Sequence, residues 1–216
     1  MTRLRRVPPG RAGKLWLRRR LGVAQRGADL LDHKLRILHA ERQRLVLLIA
    51  RTAAAWDTAS READGWLLRG ALLGGQRAVR LAQDGQLADV EITWAQSMGV
   101  RYPARATCAL PEPGLSTRLP SNAALDAARE AYRRAVEAAI EHAVAEAAFR
   151  VVEMEEAATR RRLRAIEDRW VPRLQQALAE VQLGLEEQEH AEGVRLRWAV
   201  ARGQGPGRSG LAEGDK

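Results

Sequence analysis

The sequence predicts a mainly α-helical chain, a long antiparallel intramolecular two-helix coiled coil with a small β-hairpin head between the helices. Its composition is dominated by alanine, leucine, arginine and glutamate, which are strong helix formers. The prolines cluster between residues 103 and 120, which leaves a long stretch on either side free to form helix. Phenylalanine and tyrosine number only one and two, enough for a narrow helix–helix seam rather than a wide interior.

The first helix is predicted over residues 11–80 by its apolar spacing. Residues at alternating steps of four and three are Leu17, Leu21, Ala24, Ala28, Leu31, Leu35, Leu38, Arg42, Leu45, Ile49, Thr52, Trp56, Ala59, Ala63 and Trp66. All but Arg42 and Thr52 are apolar, and this 3.5-residue period indicates a coiled coil. Glycines at positions 65, 70, 74 and 75 predict a bend or break toward the far end.

The second helix is predicted to begin after Pro120, with Ser121 or Asn122 as its cap. Beyond Leu163 the apolar steps approach an 11-residue repeat, which favours straighter winding than the first helix. Pro172 is expected to kink this helix without ending it. Two helices of similar length can fold back on each other, so residues 11–80 and 122–200 should run antiparallel with both termini at one end.

The segment between the two predicted helices, residues 81–120, has a different residue pattern. Residues 90–94 alternate apolar and polar side chains as a half-buried strand does, and residues 98–108 suggest a second strand. We therefore expect a β-hairpin at about 86–110, a turn at 83–86 and a proline-rich loop at 110–120. The predicted domains are 1–80 and 121–202 for the two helices, 81–120 for the head, and 203–216 for a disordered tail.

No arrangement of residues predicts catalytic, cofactor-binding or metal-binding chemistry. The four histidines, His33, His39, His142 and His190, have no metal-ligand spacing and are expected to be exposed. Cys108 carries no signature of a nucleophile, and Gly10–Leu15 lacks the spacing and hydroxyl of a phosphate loop. Glutamates at 153–156 precede arginines at 160–162, which favours ion pairs over acid–base chemistry.

Charge is the most informative feature of the ends. The chain carries a net charge of +9, and residues 1–20 hold eight basic side chains and no acidic one. Arg195, Arg197 and Arg202 lie near the other end, so the fold-back should bring both basic clusters together. This basic end is either a solubilising surface or a tip inserted into an electronegative socket. With no signal-peptide pattern and no apolar run of membrane-spanning length, we expect a soluble, cytoplasmic protein.

Several blocks resemble the D subunits of V-type and archaeal-type rotary ATPases. Thr159-Arg160-Arg161-Arg162, followed by Ile166, Glu167 and Pro172, is similar to that family's signature, although Arg164 stands where the family has asparagine. Two further blocks match: Leu21, Ala24, Gly27, Leu30, Leu31 and Lys34 near the start, and Met98, Gly99, Val100 and Pro103 in the head. Together the blocks cover most of residues 8–200.

The resemblance implies a non-catalytic central shaft that transmits rotation. Its partners would be the catalytic A and regulatory B subunits around the tip, the F subunit beside the shaft and the C-subunit funnel on the membrane ring, without insertion into the membrane. From the two basic clusters we expect the contacts with the hexamer to be made by Arg5, Arg6, Arg11, Lys14, Arg18, Arg195 and Arg197. One alternative is a basic coiled coil that binds nucleic acid, although no base-stacking aromatic side chains accompany the arginines. The other alternative is a scaffold that dimerises through its heptads.

Overall fold

The computed structural model describes residues 7–82, 87–111 and 122–203. Helix α1 spans Gly10–Leu81, strands β1 and β2 span Asp89–Ser97 and Val100–Ala109, and helix α2 spans Ala123–Ala165. A π-helical turn at Ile166–Trp170 leads into helix α3, Val171–Gly203. This confirms the predicted mainly helical fold with two long helices and a two-stranded antiparallel sheet between them. The predicted 83–86 turn, most of the 110–120 loop, the tail after residue 203, Ser121, Arg5 and Arg6 lie outside the described residues.

The chain forms two compact units. The terminal unit combines Met1–Leu30 with Leu163–Lys216, and the central unit is Leu31–Arg162. Each is built from antiparallel helical segments joined by a thin apolar seam, because small and medium side chains let two helices approach closely.

In the central unit, α1 packs on α2 through two clusters. The larger contains Leu38, Leu45, Ala148 and Val152, none of which is more than 1% exposed. The smaller, toward the fold-back end, is made of Ala63, Ala131 and Ala135. Trp66 and Tyr132 pack against these alanines, so two large aromatic side chains fill the space that the small ones leave.

The two polar residues among the predicted seam positions each meet a polar partner on α2. The Thr52 hydroxyl donates to the Leu48 carbonyl at 3.0 Å and lies 3.1 Å from Nδ1 of His142, whose ring stacks on Trp56. The expectation that His142 would be exposed is therefore wrong, since its side chain is only 13% exposed. A buried hydroxyl needs a polar neighbour, and His142 supplies it.

Glycine determines how α1 ends. Gly75 has φ 68° and ψ 173°, which interrupts the helix and confirms the predicted break. One turn earlier, Gly70 faces the start of α2, where Asn122 caps the helix by accepting the Leu125 N–H at 2.9 Å and donates to the Gly70 carbonyl at 3.3 Å. A Cβ at Gly70 would lie 2.6 Å from Leu125 Cδ2, so only glycine permits this approach.

Two glycine substitutions should therefore have opposite effects. We expect Gly70→Ala to lower the free energy of unfolding by about 1–3 kcal/mol, because the new methyl group overlaps the buried Leu125 side chain. Gly65→Ala should raise it by about 0.5–1 kcal/mol, because a Cβ there meets nothing within 4 Å and alanine favours helix. Urea unfolding followed by circular dichroism measures both changes. Equal effects of the two substitutions would contradict the close approach at Gly70.

The hairpin differs from its prediction in two respects. Met98 and Gly99, predicted as the start of the second strand, are the turn: their φ values are 48° and 79°, the left-handed pair that a tight two-residue hairpin requires. The apolar face of the alternating strand is also not buried in the core, since Val90, Ile92 and Trp94 are all exposed, by 41–48%. Alternation identified the strand correctly, but only tertiary packing decides which face is covered.

Strand β2 packs on α1 through Tyr102. Tyr102 is buried against the cluster that contains Leu38 and Leu45, and its hydroxyl donates to Glu41 Oε1 at 2.9 Å. Burial raises the pKa of Tyr102, and hydrogen bonds from Arg44 lower the pKa of Glu41. Pro103 is buried opposite Trp94, where a β-bulge interrupts the register and tolerates a residue that lacks an N–H.

In the terminal unit, the start of α1 packs on α3. Leu17 and Leu174 are fully buried, and Leu163 and Ala28 are nearly so. The π turn precedes Pro172, and the Val171 N–H donates to the Ile166 carbonyl five residues earlier. A wider turn accommodates the proline ring and its missing N–H, so the helix resumes beyond Pro172, as predicted, instead of ending there.

Candidate functional site

A buried carboxylate organises the middle of the seam. Glu156 on α2 is 4% exposed and contacts three basic side chains, which we call the Glu156 cluster: Arg42, Arg160 and His39. Arg160 Nη2 donates to Oε1 at 2.6 Å, and Arg42 Nε lies 2.8 Å from Oε2, although its N–H is not directed along a hydrogen bond. His39 Nδ1 is 3.3 Å from Oε1. A carboxylate buried this deeply requires such pairing.

The neighbouring Glu155 forms a second link between the helices. Lys34 on α1 donates to it at 2.8 Å, and Arg162 lies 3.6 Å away. The hydrogen bond from Lys34 is the main reason why the pKa of Glu155 is lowered, with smaller contributions from Arg162 and Thr159. The stability that this bond contributes is present at neutral pH and is lost as the pH falls through the lowered pKa.

The structure explains most of the threonine–arginine block. Thr159 is fully buried in the seam, while Arg160 and Arg162 hold the two glutamates. Arg161 and Arg164 are exposed, so the replacement of asparagine at 164 alters a surface position. In the terminal unit, Ile166 begins the π turn and Glu167 is exposed within it. The predicted ion pairs between 153–156 and 160–162 exist, but sequence alone missed their partners on α1.

A hydrogen bond near the fold-back end ties Tyr132 on α2 to α1. Its hydroxyl donates to Asp64 Oδ1 at 2.7 Å, and that bond, followed by burial, raises the pKa of Tyr132 to about 12. Because the folded pKa is raised, the stabilisation is complete below about pH 10 and is lost as the pH rises from there toward 12.

We expect this bond to be visible in a tyrosinate titration. In a Tyr102→Phe background, where Tyr132 is the remaining tyrosine, Asp64→Asn should shift the midpoint of the ultraviolet titration downward toward the ordinary value near 10. Asp57→Asn, an exposed carboxylate on the same helix, should leave the midpoint unchanged. A midpoint near 10 before Asp64 is changed would contradict the bond.

The basic strip of the terminal unit lies on the first turns of α1. Arg11 and Arg18 are exposed, Lys14 is half-buried, and Arg11 pairs with Glu189 of α3 at 2.9 Å. Arg195 and Arg197 lie about two turns beyond Glu189, in the last turns of α3, where most side chains are exposed. The Arg11–Glu189 pair places the first turn of α1 against α3 within this unit, and whether the two basic clusters meet stays a prediction.

The terminal unit exposes large apolar side chains as well as basic ones. Leu15 and Leu30 are about 70% exposed. The last turns of α3 expose Val194, Leu196, Trp198 and Val200. Periodicity did not reveal them, because a heptad pattern identifies the seam and says nothing of a second apolar face. Exposed apolar side chains in this number mark an interaction surface.

The same unit contains a concave surface, which we call the Trp groove, with a volume of about 880 Å³. Its apolar lining consists of Trp16, Val23, Ala24, Gly27, Ala165, Ile166 and Trp170. Arg19 and Arg20 complete the lining, and the Arg20 guanidinium lies 4.8 Å from the centre of the Trp16 ring, in a cation–π contact. This groove is not visible in the sequence, because its residues come from two segments that are far apart along the chain.

None of the helices within residues 7–82, 87–111 and 122–203 has an apolar stretch suited to crossing a membrane. Within the same ranges, no three histidine, cysteine or carboxylate side chains are grouped to hold a metal ion.

The described residues form two long helical segments with a two-stranded hairpin between them, and ion pairs join the two helices of the central unit. The chain matches the family of ATP synthase D subunits over residues 15–201, and it belongs to that family. It is similar to the V-type ATP synthase D subunit of Anaeromyxobacter sp. (strain Fw109-5), with 29% identity over 210 residues. The alignment covers 91% of this chain and 94% of that protein.

Proposed function

We propose that this protein is the central rotor shaft of a V/A-type ATP synthase. It would transmit rotation between ATP turnover in the A/B hexamer and proton or sodium movement through the membrane ring, with the nucleotide chemistry on the hexamer. The observation that carries the proposal is that hydrogen bonds, ion pairs and apolar contacts join two antiparallel helices within each unit. Membership in the D-subunit family supports the same role.

A shaft must resist twisting, and the bonds between its helices supply that resistance. In the central unit, Lys34–Glu155, Arg42–Glu156, Asp64–Tyr132 and Glu62–Arg134 all join α1 to α2. Sliding or unwinding one helix against the other would shear these bonds and the apolar contacts between them. In the terminal unit, the Arg11–Glu189 pair between α1 and α3 is exposed and contributes little, so the buried side chains of Leu17 and Leu174 supply the resistance there.

The terminal unit is the proposed contact with the A/B hexamer. Arg11, Lys14, Arg18, Arg195 and Arg197 present positive charge there, and Arg5 and Arg6 are proposed to extend it. Long charged side chains suit a surface that must form and break contacts repeatedly, because exposed ion pairs are individually weak. The exposed apolar side chains near them supply additional area for contact with the hexamer.

The central unit offers two further surfaces. Val90, Ile92 and Trp94 form an exposed apolar stripe on the hairpin, which we propose as part of the contact with the F subunit. At the fold-back end, Leu68, Leu72 and Leu73 are 62–79% exposed, and we propose that they enter the C-subunit funnel. The chain would then be held peripherally at the cytoplasmic side of the membrane through its partners.

The test is assembly followed by direct observation of rotation. The chain is coexpressed with the A, B, F and C subunits, the complex is purified through a tag on the catalytic A subunit, and the hexamer is fixed to a surface. A chain with Glu91→Cys and Cys108→Ser carries a bead at position 91, which is exposed and lies on the face of β1 opposite the apolar stripe. We expect the chain to co-purify and the bead to turn in one direction while ATP is hydrolysed. A complex that lacks the chain, or a bead that stays fixed during hydrolysis, would overturn the proposal.

A further inference from the structure

We infer that the Trp groove is the seat of an acidic, apolar-faced helix from another component of the ATP synthase. The inference rests on the proposed function and gives it a specific contact. Three properties support it: the space left by small residues, the exposed apolar lining, and the unbalanced positive charge beside it.

Small side chains create the space. Ala24, Gly27 and Ala165 line the groove, and a Cβ placed on Gly27 would meet no heavy atom within 4 Å. The two helices therefore leave a gap at this point that their own side chains do not fill. A volume of about 880 Å³ lies in the range of sites that bury a ligand, and it is open to side chains from a docking helix.

The lining favours an apolar occupant. Val23 is 56% exposed and Trp170 is 39% exposed, although both are large apolar side chains. Covering them removes apolar surface from water, which is the main source of affinity when an amphipathic helix enters a groove. Tryptophan also leads the residues that carry most of the binding energy at interfaces.

Charge selects the occupant. Between Gly10 and Leu30 the chain has six basic residues and one acidic residue, Asp29. Arg19 and Arg20 line the groove, and neither forms an ion pair with a residue in the described ranges. The nearby carboxylates of Glu167 and Asp168 belong to the π turn but do not line the groove. A partner helix with carboxylates beside its apolar face would therefore pair with these arginines.

Photo-crosslinking within the assembled complex tests the inference. A benzophenone amino acid replaces Val23, the complex with the A, B, F and C subunits is irradiated, and mass spectrometry identifies the attached segment. We expect a single helical segment of another protein of the complex that carries acidic residues beside apolar ones. Attachment to a basic or uncharged segment, attachment to a second copy of this chain, or no attachment in a complete complex would overturn the inference.

Matched variants separate filling the groove from damaging the chain. Gly27→Leu places a side chain in the groove and should reduce the Val23 crosslink at least tenfold. Gly22→Leu makes the same change on the same helix outside the groove, where a Cβ has only an ordinary contact with Arg26, and should leave the crosslink unchanged. Both variants should melt no lower than the parent chain, because leucine favours helix more than glycine does.

Charge reversal tests the acidic character of the partner. Arg19→Glu with Arg20→Glu should reduce the crosslink at least tenfold in low salt, whereas Arg26→Glu, on the same helix but outside the groove, should not. Equal loss in the double variant and in Arg26→Glu would show that the charge beside the groove does not select the partner. A chain that co-purifies and rotates but gives no acidic crosslink overturns this inference alone. Failure to co-purify overturns the proposed function as well.

Discussion

Replacing Glu156 with alanine should lower the free energy of unfolding by about 3–5 kcal/mol. The substitution leaves Arg42 and Arg160 facing a seam from which the carboxylate has been removed. Arg42 is affected more, because its side chain is 27% exposed and lies on the other helix, whereas Arg160 is about half exposed and can turn toward water. Urea unfolding followed by circular dichroism gives the change directly.

The control is Glu153→Ala, an exposed glutamate one turn earlier on α2, which should change stability by less than about 0.5 kcal/mol. A double variant in which Met replaces both Arg42 and Glu156 should recover most of the loss, since it leaves less charge without a partner. If Glu156→Ala unfolds at the same urea concentration as Glu153→Ala, the carboxylate does not hold the seam together.

Reversing Arg11, Lys14 and Arg18 to glutamate should reduce ATP hydrolysis coupled to rotation by roughly tenfold, equivalent to about 1.4 kcal/mol of lost contact energy. Two of the three side chains are exposed, so they are available to a surrounding partner. At position 11 the change also places a glutamate beside Glu189, which adds repulsion within the terminal unit. The measurement is turnover and bead rotation in the reconstituted complex, after gel filtration has shown equal assembly.

The matched control reverses three exposed arginines in the central unit, Arg36, Arg51 and Arg61, which alters the charge by the same amount on the same helix. Its turnover should stay within about twofold of the parent. The difference between the two triple variants should shrink as ionic strength rises, because exposed charges are screened within about 10 Å at 0.1 M salt. If the two triple variants have equal turnover at low salt, the basic strip does not contribute to the contact with the hexamer.

Periodicity identified the helices and proline identified the interruption between them, because both signals act within a few residues. The same local rules predicted a bend or break near the glycines at 65–75 and a cap at Ser121 or Asn122, and the structure has the break at Gly75 and a cap at Asn122. Local rules failed where an answer depends on a distant segment. They predicted that His142 would be exposed, and they assigned Met98 and Gly99 to a strand when the two residues form its turn.

The candidate surfaces also differ in whether they depend on neighbouring residues or on distant segments. The basic strip was visible in the sequence because eight basic residues lie within the first twenty without an acidic one. The Trp groove was not, because Trp16 and Trp170 are 154 positions apart and their proximity follows from the register between α1 and the turn before α3. The exposed stripe on the hairpin was likewise hidden, since alternation marks two faces without telling which is covered.

The sequence by itself determined two long helices, the hairpin between them, the concentration of positive charge near the ends, and the resemblance to the D subunits of rotary ATPases. Each depends on neighbouring residues or on their order along the chain. Tertiary structure alone decided which charges meet, from Glu156 with Arg42 to Glu189 with Arg11, and where an apolar surface stays uncovered. Those outcomes depend on the register of one helix against another, and register follows from the sum of many weak contacts across the seam.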